Sequence, residues 1–150
     1  LGLGHAVLMS EQHVGYEPFV VMLGDDLIDP RDPILDSMIA VREEFGGSVL
    51  CLMQVPQESI SLYGCVAIDV DSSGESLKVT DLVEKPSVTE APSNYAIIGR
   101  YVLDPAVYSV LAETPAGRGG EIQLTDALRV LAAMPESEGG GVRRPEYTRT

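Results

Sequence analysis

The sequence predicts an α/β fold built on a mixed sheet, and three observations carry that expectation. A helix–strand–helix–strand alternation opens the chain. Short strands separated by turn signals occupy its middle. Helical periodicity then returns after the last long apolar run.

Taken in order, residues 5–13 (HAVLMSEQH) read as a short helix with Ala6, Val7 and Met9 turned inward. Residues 19–23 (FVVML) form a continuous apolar run, the pattern of a strand buried on both faces. Asp32-Pro33 caps a helix over about 34–45, whose apolar face is Ile34, Leu35, Met38, Ile39 and Val41; Gly46-Gly47 stops it. A second buried strand spans Ser48 to Val55. After a loop carrying Pro56, Cys65 to Val70 is a third strand, Asp71 to Gly74 a hairpin-type turn, and Leu77 to Val83 the returning strand. Tyr95 to Leu103 is an apolar run interrupted by Gly99. Pro105 opens a helix to about Ala112, and Glu121 to Met134 is an amphipathic helix with Ile122, Leu124, Ala127, Leu128 and Leu131 on one face.

Composition excludes several functions. The chain has 150 residues, 45% hydrophobic and 22% charged, with 23 acidic against 10 basic side chains and a net charge of −13. That apolar fraction belongs to a folded domain, so the acidity is not that of a disordered tail. An acidic surface repels phosphate backbones and anionic lipid, which argues against nucleic acid and membrane as partners. No apolar run approaches the roughly 18 residues of a membrane span, and no signal-peptide pattern opens the chain. Two cysteines, Cys51 and Cys65, cannot make a disulfide framework. The expected compartment is the cytoplasm.

Chemistry in such sheets gathers at strand ends. Gly24-Asp25-Asp26 follows the first strand, and its carboxylates suit either a hard cation such as Mg²⁺ or an acidic turn that caps the next element. Glu84-Lys85-Pro86 follows another strand. A carboxylate beside an ammonium can take sugar hydroxyls and a phosphate, or can be an exposed ion pair before a strand-ending proline. Lys85 is one of two lysines, with Lys78, against eight arginines. Gly64, after Tyr63, either admits a ligand to the backbone or makes a turn. Gly2 and Gly4 resemble part of a phosphate-cradling loop. His5, His13, Glu121 and Asp126 read as ordinary helix and surface polar residues.

Taken together, Gly2 to Val7, Leu23-Gly24-Asp25-Asp26, Tyr63-Gly64, Val83-Glu84-Lys85-Pro86, Ala91 to Asn94, Ile98 to Leu103 and Gly120 to Ala127 resemble, in order and spacing, bacterial UTP–glucose-1-phosphate uridylyltransferases, the UDP-glucose pyrophosphorylases. The resemblance covers about residues 1–142. It implies a Rossmann-like mixed sheet of the nucleotide-diphospho-sugar transferase type, and the reaction of UTP with glucose 1-phosphate to give UDP-glucose and pyrophosphate with Mg²⁺. It also implies roles: Gly2 at the uracil edge, Asp25 on the metal, Asp26 beside it, Gly64 facing glucose through its amide, Glu84 on glucose hydroxyls, and Lys85 on the sugar phosphate. Homo-oligomer formation stays open.

The departures set further expectations. The family's first strand, its GxGTR-type loop and a following Pro-Lys lysine have no counterpart here, nor has a metal-binding Asp near a D-x-G element. Residues 143–150 (RRPEYTRT), with three arginines and one glutamate, show neither helical nor strand periodicity. The expected picture is a central fragment, 1–142, of an incomplete nucleotidyltransferase domain with a divergent tail and impaired activity. The alternatives are a thymidylyl- or other sugar-1-phosphate nucleotidyltransferase, or a non-catalytic sugar-nucleotide-binding fragment.

Overall fold

In the computed structural model, residues 1–69, 76–136 and 139–145 are described. Among these residues six strands make one sheet: β1 (Phe19–Met22), β2 (Ser48–Gln54), β3 (Gly64–Ile68), β4 (Ser76–Glu84), β5 (Tyr95–Leu103) and β6 (Val142–Pro145). Their order is β1-β5-β2-β6-β4-β3, and β3 also meets β5 through Cys65 and Ala96. The sheet is mixed: β2 runs parallel to β6, while β1/β5, β2/β5, β3/β4 and β4/β6 are antiparallel. The expected α/β class with a mixed sheet is therefore observed.

Five α-helices among the described residues flank it: α1 (Leu3–Met9), α2 (Glu11–Val14), α3 (Ile34–Phe45), α4 (Ala106–Glu113) and α5 (Leu124–Ala133). α1, α4 and α5 pack with one sheet face around Leu50, Leu82, Tyr101, Tyr108, Leu111, Leu128 and Leu131. α3 covers the opposite face through Ile34, Met38 and Val41 against Val49, Cys51 and Val102. A fully buried side chain of this size stabilises the fold by about 1.5–3 kcal/mol, so these two layers dominate its energetics. No helix among the described residues is long and apolar enough to cross a membrane.

Local chemistry explains the helix boundaries. Asp32 Oδ1 accepts the amide of Ile34 at 3.1 Å, satisfying a free N–H at the start of α3, and Gly46 (φ 70°) ends that helix. Asp104 Oδ1 does the same for Ala106 at 3.0 Å while its Oδ2 accepts Arg42 Nη2 at 2.8 Å.

Four expectations need correction. The first helix breaks at Ser10 into α1 and α2, with Gly4 and Val7 buried but Ala6 and Met9 exposed. β1 is an edge strand, pairing only with β5 among the described residues; Val20 is 38% and Met22 61% exposed, so the run is not buried on both faces. The last helix begins at Leu124, because Ile122 is held in extended backbone by bonds from Gly4 N and to Leu1 O, each 3.0 Å. Residues 142–145 are a strand in the middle of the sheet, since β2 and β4 each present an edge there. The turn expected at Asp71 to Gly74 and the closing residues 146–150 lie outside the described residues.

Candidate active site

Register places the first elements of the site. In the β3/β4 ladder Gly64 stands opposite Glu84, the last residue of β4. α5 packs on β4, and its second residue, Thr125, donates from Oγ1 to Glu84 Oε2 at 2.7 Å. The carboxylate therefore lies at the amino end of α5, where the helix dipole favours an anion. Its other oxygen, Oε1, is 3.9 Å from Lys85 Nζ. Lys85 is half exposed, and an exposed pair at that distance is worth under about 1 kcal/mol. The ammonium thus remains available to a second anion.

Lys85 is the one non-glycine residue with positive φ among the described residues, at 44°. That conformation disfavours an L side chain, and it persists because the backbone is tied on both sides. Its amide donates to Tyr63 O at 3.0 Å, and its carbonyl accepts Arg118 Nη1. Arg118 belongs to a 3₁₀ turn, Arg118–Gly120, in the loop leading to α5. Gly64 leaves space over the carboxylate: a Cβ there would stand 3.2 Å from Thr125 Oγ1 and 3.3 Å from Glu84 Oε2.

The second cluster is the turn after β1. Asp26 Oδ2 accepts Gly99 N at 2.6 Å, and Arg100 donates to Leu23 O at 3.1 Å and Asp26 O at 2.7 Å. Asp26 is thus committed to holding its own turn against β5. Asp25, beside it, is exposed and has no hydrogen bond or ion pair to a described residue.

β5 joins the two clusters. Ile97, Gly99 and Tyr101 alternate onto one face of that strand. Ile97 reaches Gly64, Gly99 bonds Asp26, and the buried Tyr101 hydroxyl is held well above the usual phenol range by burial first, then by Glu84 and Asp26. Asp126, next to Thr125, is also raised, by burial first and then by Glu84. An open groove of about 620 Å³ between α4 and α5 shares Asp126 and Gly117 but not Glu84 or Lys85.

The structure thus brings Gly64, Glu84 and Lys85 together and links Asp26 to them through β5. Gly2 (φ 124°) packs on the segment that leads into α5, where a Cβ would stand 2.8 Å from Glu121 Cβ. Sequence reasoning missed Thr125, Tyr101 and Arg118. Thr125 and Tyr101 sat within the family-like runs, but nothing in their spacing signals a partner on another strand. Among the described residues, no group of three or more His, Cys, Asp or Glu side chains could hold a metal ion.

Comparison with known proteins gives a consistent answer. The chain is 48% identical over 129 residues to UTP–glucose-1-phosphate uridylyltransferase YngB of Bacillus subtilis, covering 86% of this chain and 43% of that protein. It is 46% identical over 138 residues to the UTP–glucose-1-phosphate uridylyltransferase of Haemophilus influenzae, covering 87% of this chain and 46% of the relative. A UDP-glucose pyrophosphorylase solved in complex with UDP-glucose superposes with a TM-score of 0.88 at 37% identity, over 98% of this chain and 54% of the other. The chain spans about half the length of the curated relatives it matches. Since residues 1–140 match the Nucleotidyl transferase family model, over most of the sheet and both clusters, this chain belongs to the nucleotidyl transferase family.

Proposed function

We propose that the protein carries the sugar-phosphate side of a UTP–glucose-1-phosphate uridylyltransferase site. The observation that carries the reading is the Gly64–Glu84–Lys85 corner: a half-buried glycine opposite a carboxylate held by Thr125, with a half-exposed ammonium beside it. The names of the relatives, and the UDP-glucose held by a structural neighbour, support the same substrates. No observation favours the thymidylyl alternative.

In this reading Glu84 accepts hydrogen bonds from glucose hydroxyls through Oε1. The Gly64 amide faces the sugar, and Lys85 neutralises its phosphate. A phosphate oxygen of glucose 1-phosphate attacks the α-phosphorus of UTP in line, the bond to the bridging oxygen breaks, and pyrophosphate leaves. The protein's part is positioning and charge stabilisation, with little proton transfer. Gly2 would meet the uracil edge through its backbone, and Asp26 would support the site by fixing the turn.

The donor set suits one divalent cation in part. Asp25 offers an uncommitted carboxylate, and Mg²⁺ commonly uses one or two carboxylates with waters and substrate phosphates. Such an ion, held by Asp25, would neutralise charge on the phosphates. The two buried free cysteines accord with a reducing, cytoplasmic setting.

Calorimetric titration with UDP-glucose tests the reading. Binding tighter than UDP, weakened by Glu84→Ala and by Lys85→Ala, is expected. Affinity indifferent to both substitutions would overturn it.

A further inference from the structure

The hydroxyls of Ser37, Ser109 and Thr114 each bond a carbonyl three or four residues back along the chain, the usual outlet for Ser and Thr in helices. Thr125 differs. It is 9% exposed and stands in the first turn of α5, and its Oγ1 crosses to a carboxylate on β4. A hydroxyl donating to a carboxylate is a charge-assisted bond, stronger and more directional than the carbonyl bonds of the other three. It engages Oε2 and leaves Oε1, among the described residues, beside Lys85 Nζ at 3.9 Å.

We propose that Thr125 is a positioning residue that sets sugar selectivity by fixing the rotation of the Glu84 carboxylate. With Oε2 anchored, Oε1 presents its lone pairs in one direction. A hydroxyl of one stereochemistry then meets them, and its epimer does not. Gly64 belongs to the same device, because a Cβ there would press on both Thr125 Oγ1 and Glu84 Oε2. A freely rotating carboxylate would follow either epimer. The inference rests on the reading of Glu84 as a sugar ligand.

The test is titration of the full chain with UDP-glucose, UDP-galactose and UDP. Thr125→Val removes the hydroxyl at nearly constant volume, and Thr125→Ala serves if the valine variant does not fold. The expected result is UDP-glucose binding about tenfold weaker, equivalent to one such hydrogen bond. UDP affinity stays unchanged, the preference for glucose over galactose narrows, and Thr125→Ser restores both. In the Glu84→Ala background Thr125→Val adds no further loss. Undiminished UDP-glucose selectivity in Thr125→Val, or equal loss of UDP binding, overturns the positioning role while leaving Glu84 as a ligand. A wild-type chain that does not distinguish UDP-glucose from UDP, or that ignores Glu84→Ala, removes the sugar-site reading itself, and this inference with it.

Discussion

Asp26 holds Gly99: the carboxylate Oδ2 accepts the strand amide across 2.6 Å and fastens the turn after β1 to β5. Its neighbour Asp25 has no such bond to a described residue, so two adjacent aspartates have different jobs. Asp26→Ala should lower stability by about 1–3 kcal/mol, as expected for losing a charge-assisted bond to a partly buried amide. Asp25→Ala should change it by under about 0.5 kcal/mol. Urea unfolding followed by circular dichroism decides this. Equal effects would remove the division of roles.

Lys85 carries a backbone conformation that suits glycine, with φ at 44°. Lys85→Gly should therefore be more stable than Lys85→Ala by about 1 kcal/mol, since only the alanine keeps a Cβ in the left-handed region. Both should lose UDP-glucose affinity. Thermal melts of the two variants, set beside titrations, separate strain from ligand binding. An alanine variant as stable as the glycine one would mean that the backbone relaxes on losing the lysine.

Arg144 is a charge in the wrong medium. It is 9% exposed, its Nε has no hydrogen-bond partner among the described residues, and its guanidinium lies 4.8 Å from the Tyr95 ring centroid. The cation–π contact offsets only part of the lost hydration. Arg144→Val should stabilise the fold by about 1–3 kcal/mol, the scale seen when buried charge gives way to apolar packing. A drop in denaturation midpoint would show that the stacking outweighs desolvation.

Asp126 gives a pH signature. Burial, then the Glu84 carboxylate, raises its folded pKa above the ordinary 3.8. The folded state then holds a proton that the unfolded state has released, so this group makes stability fall as pH rises from 3.8 through the raised value. Asp126→Asn should flatten that part of the profile and increase stability at neutral pH. Unfolding free energies measured from pH 4 to 7 test it; an unchanged slope would place the linkage elsewhere.

Catalysis should be weak in this chain. The GxGTR-type loop and the D-x-G aspartate that the family resemblance implies have no counterpart in these 150 residues. A coupled assay with UTP, glucose 1-phosphate and Mg²⁺ should give turnover far below that of the Bacillus subtilis relative. Comparable turnover would refute the expectation.

Much of this was legible in the sequence because apolar period and turn residues act locally. Val49 to Cys51, Ile97 to Leu103 and the Met38 face of α3 lie where their patterns put them. What was not legible depends on partners far along the chain. Val20 and Met22 face outward because β1 has a neighbour on one side only among the described residues. Arg143 and Arg144 form a strand against their own composition, since two open edges outweigh local propensity. Glu84 and Lys85 were visible as a pair. Thr125, which bonds Glu84, was not, because a hydrogen bond between a strand end and a helix start leaves no spacing rule.

The position of β6 also dictates an order of events. Ser48 pairs with Val142, and Val79 pairs with the same residue from the other side. Synthesis at about 5–20 residues per second delivers β2 and β4 well before residue 142. Until then both strands carry open edges, which are sticky toward other chains. Among the described strands, the sheet therefore closes only once β6 has emerged, and until then the facing edges of β2 and β4 are places where another chain could pair.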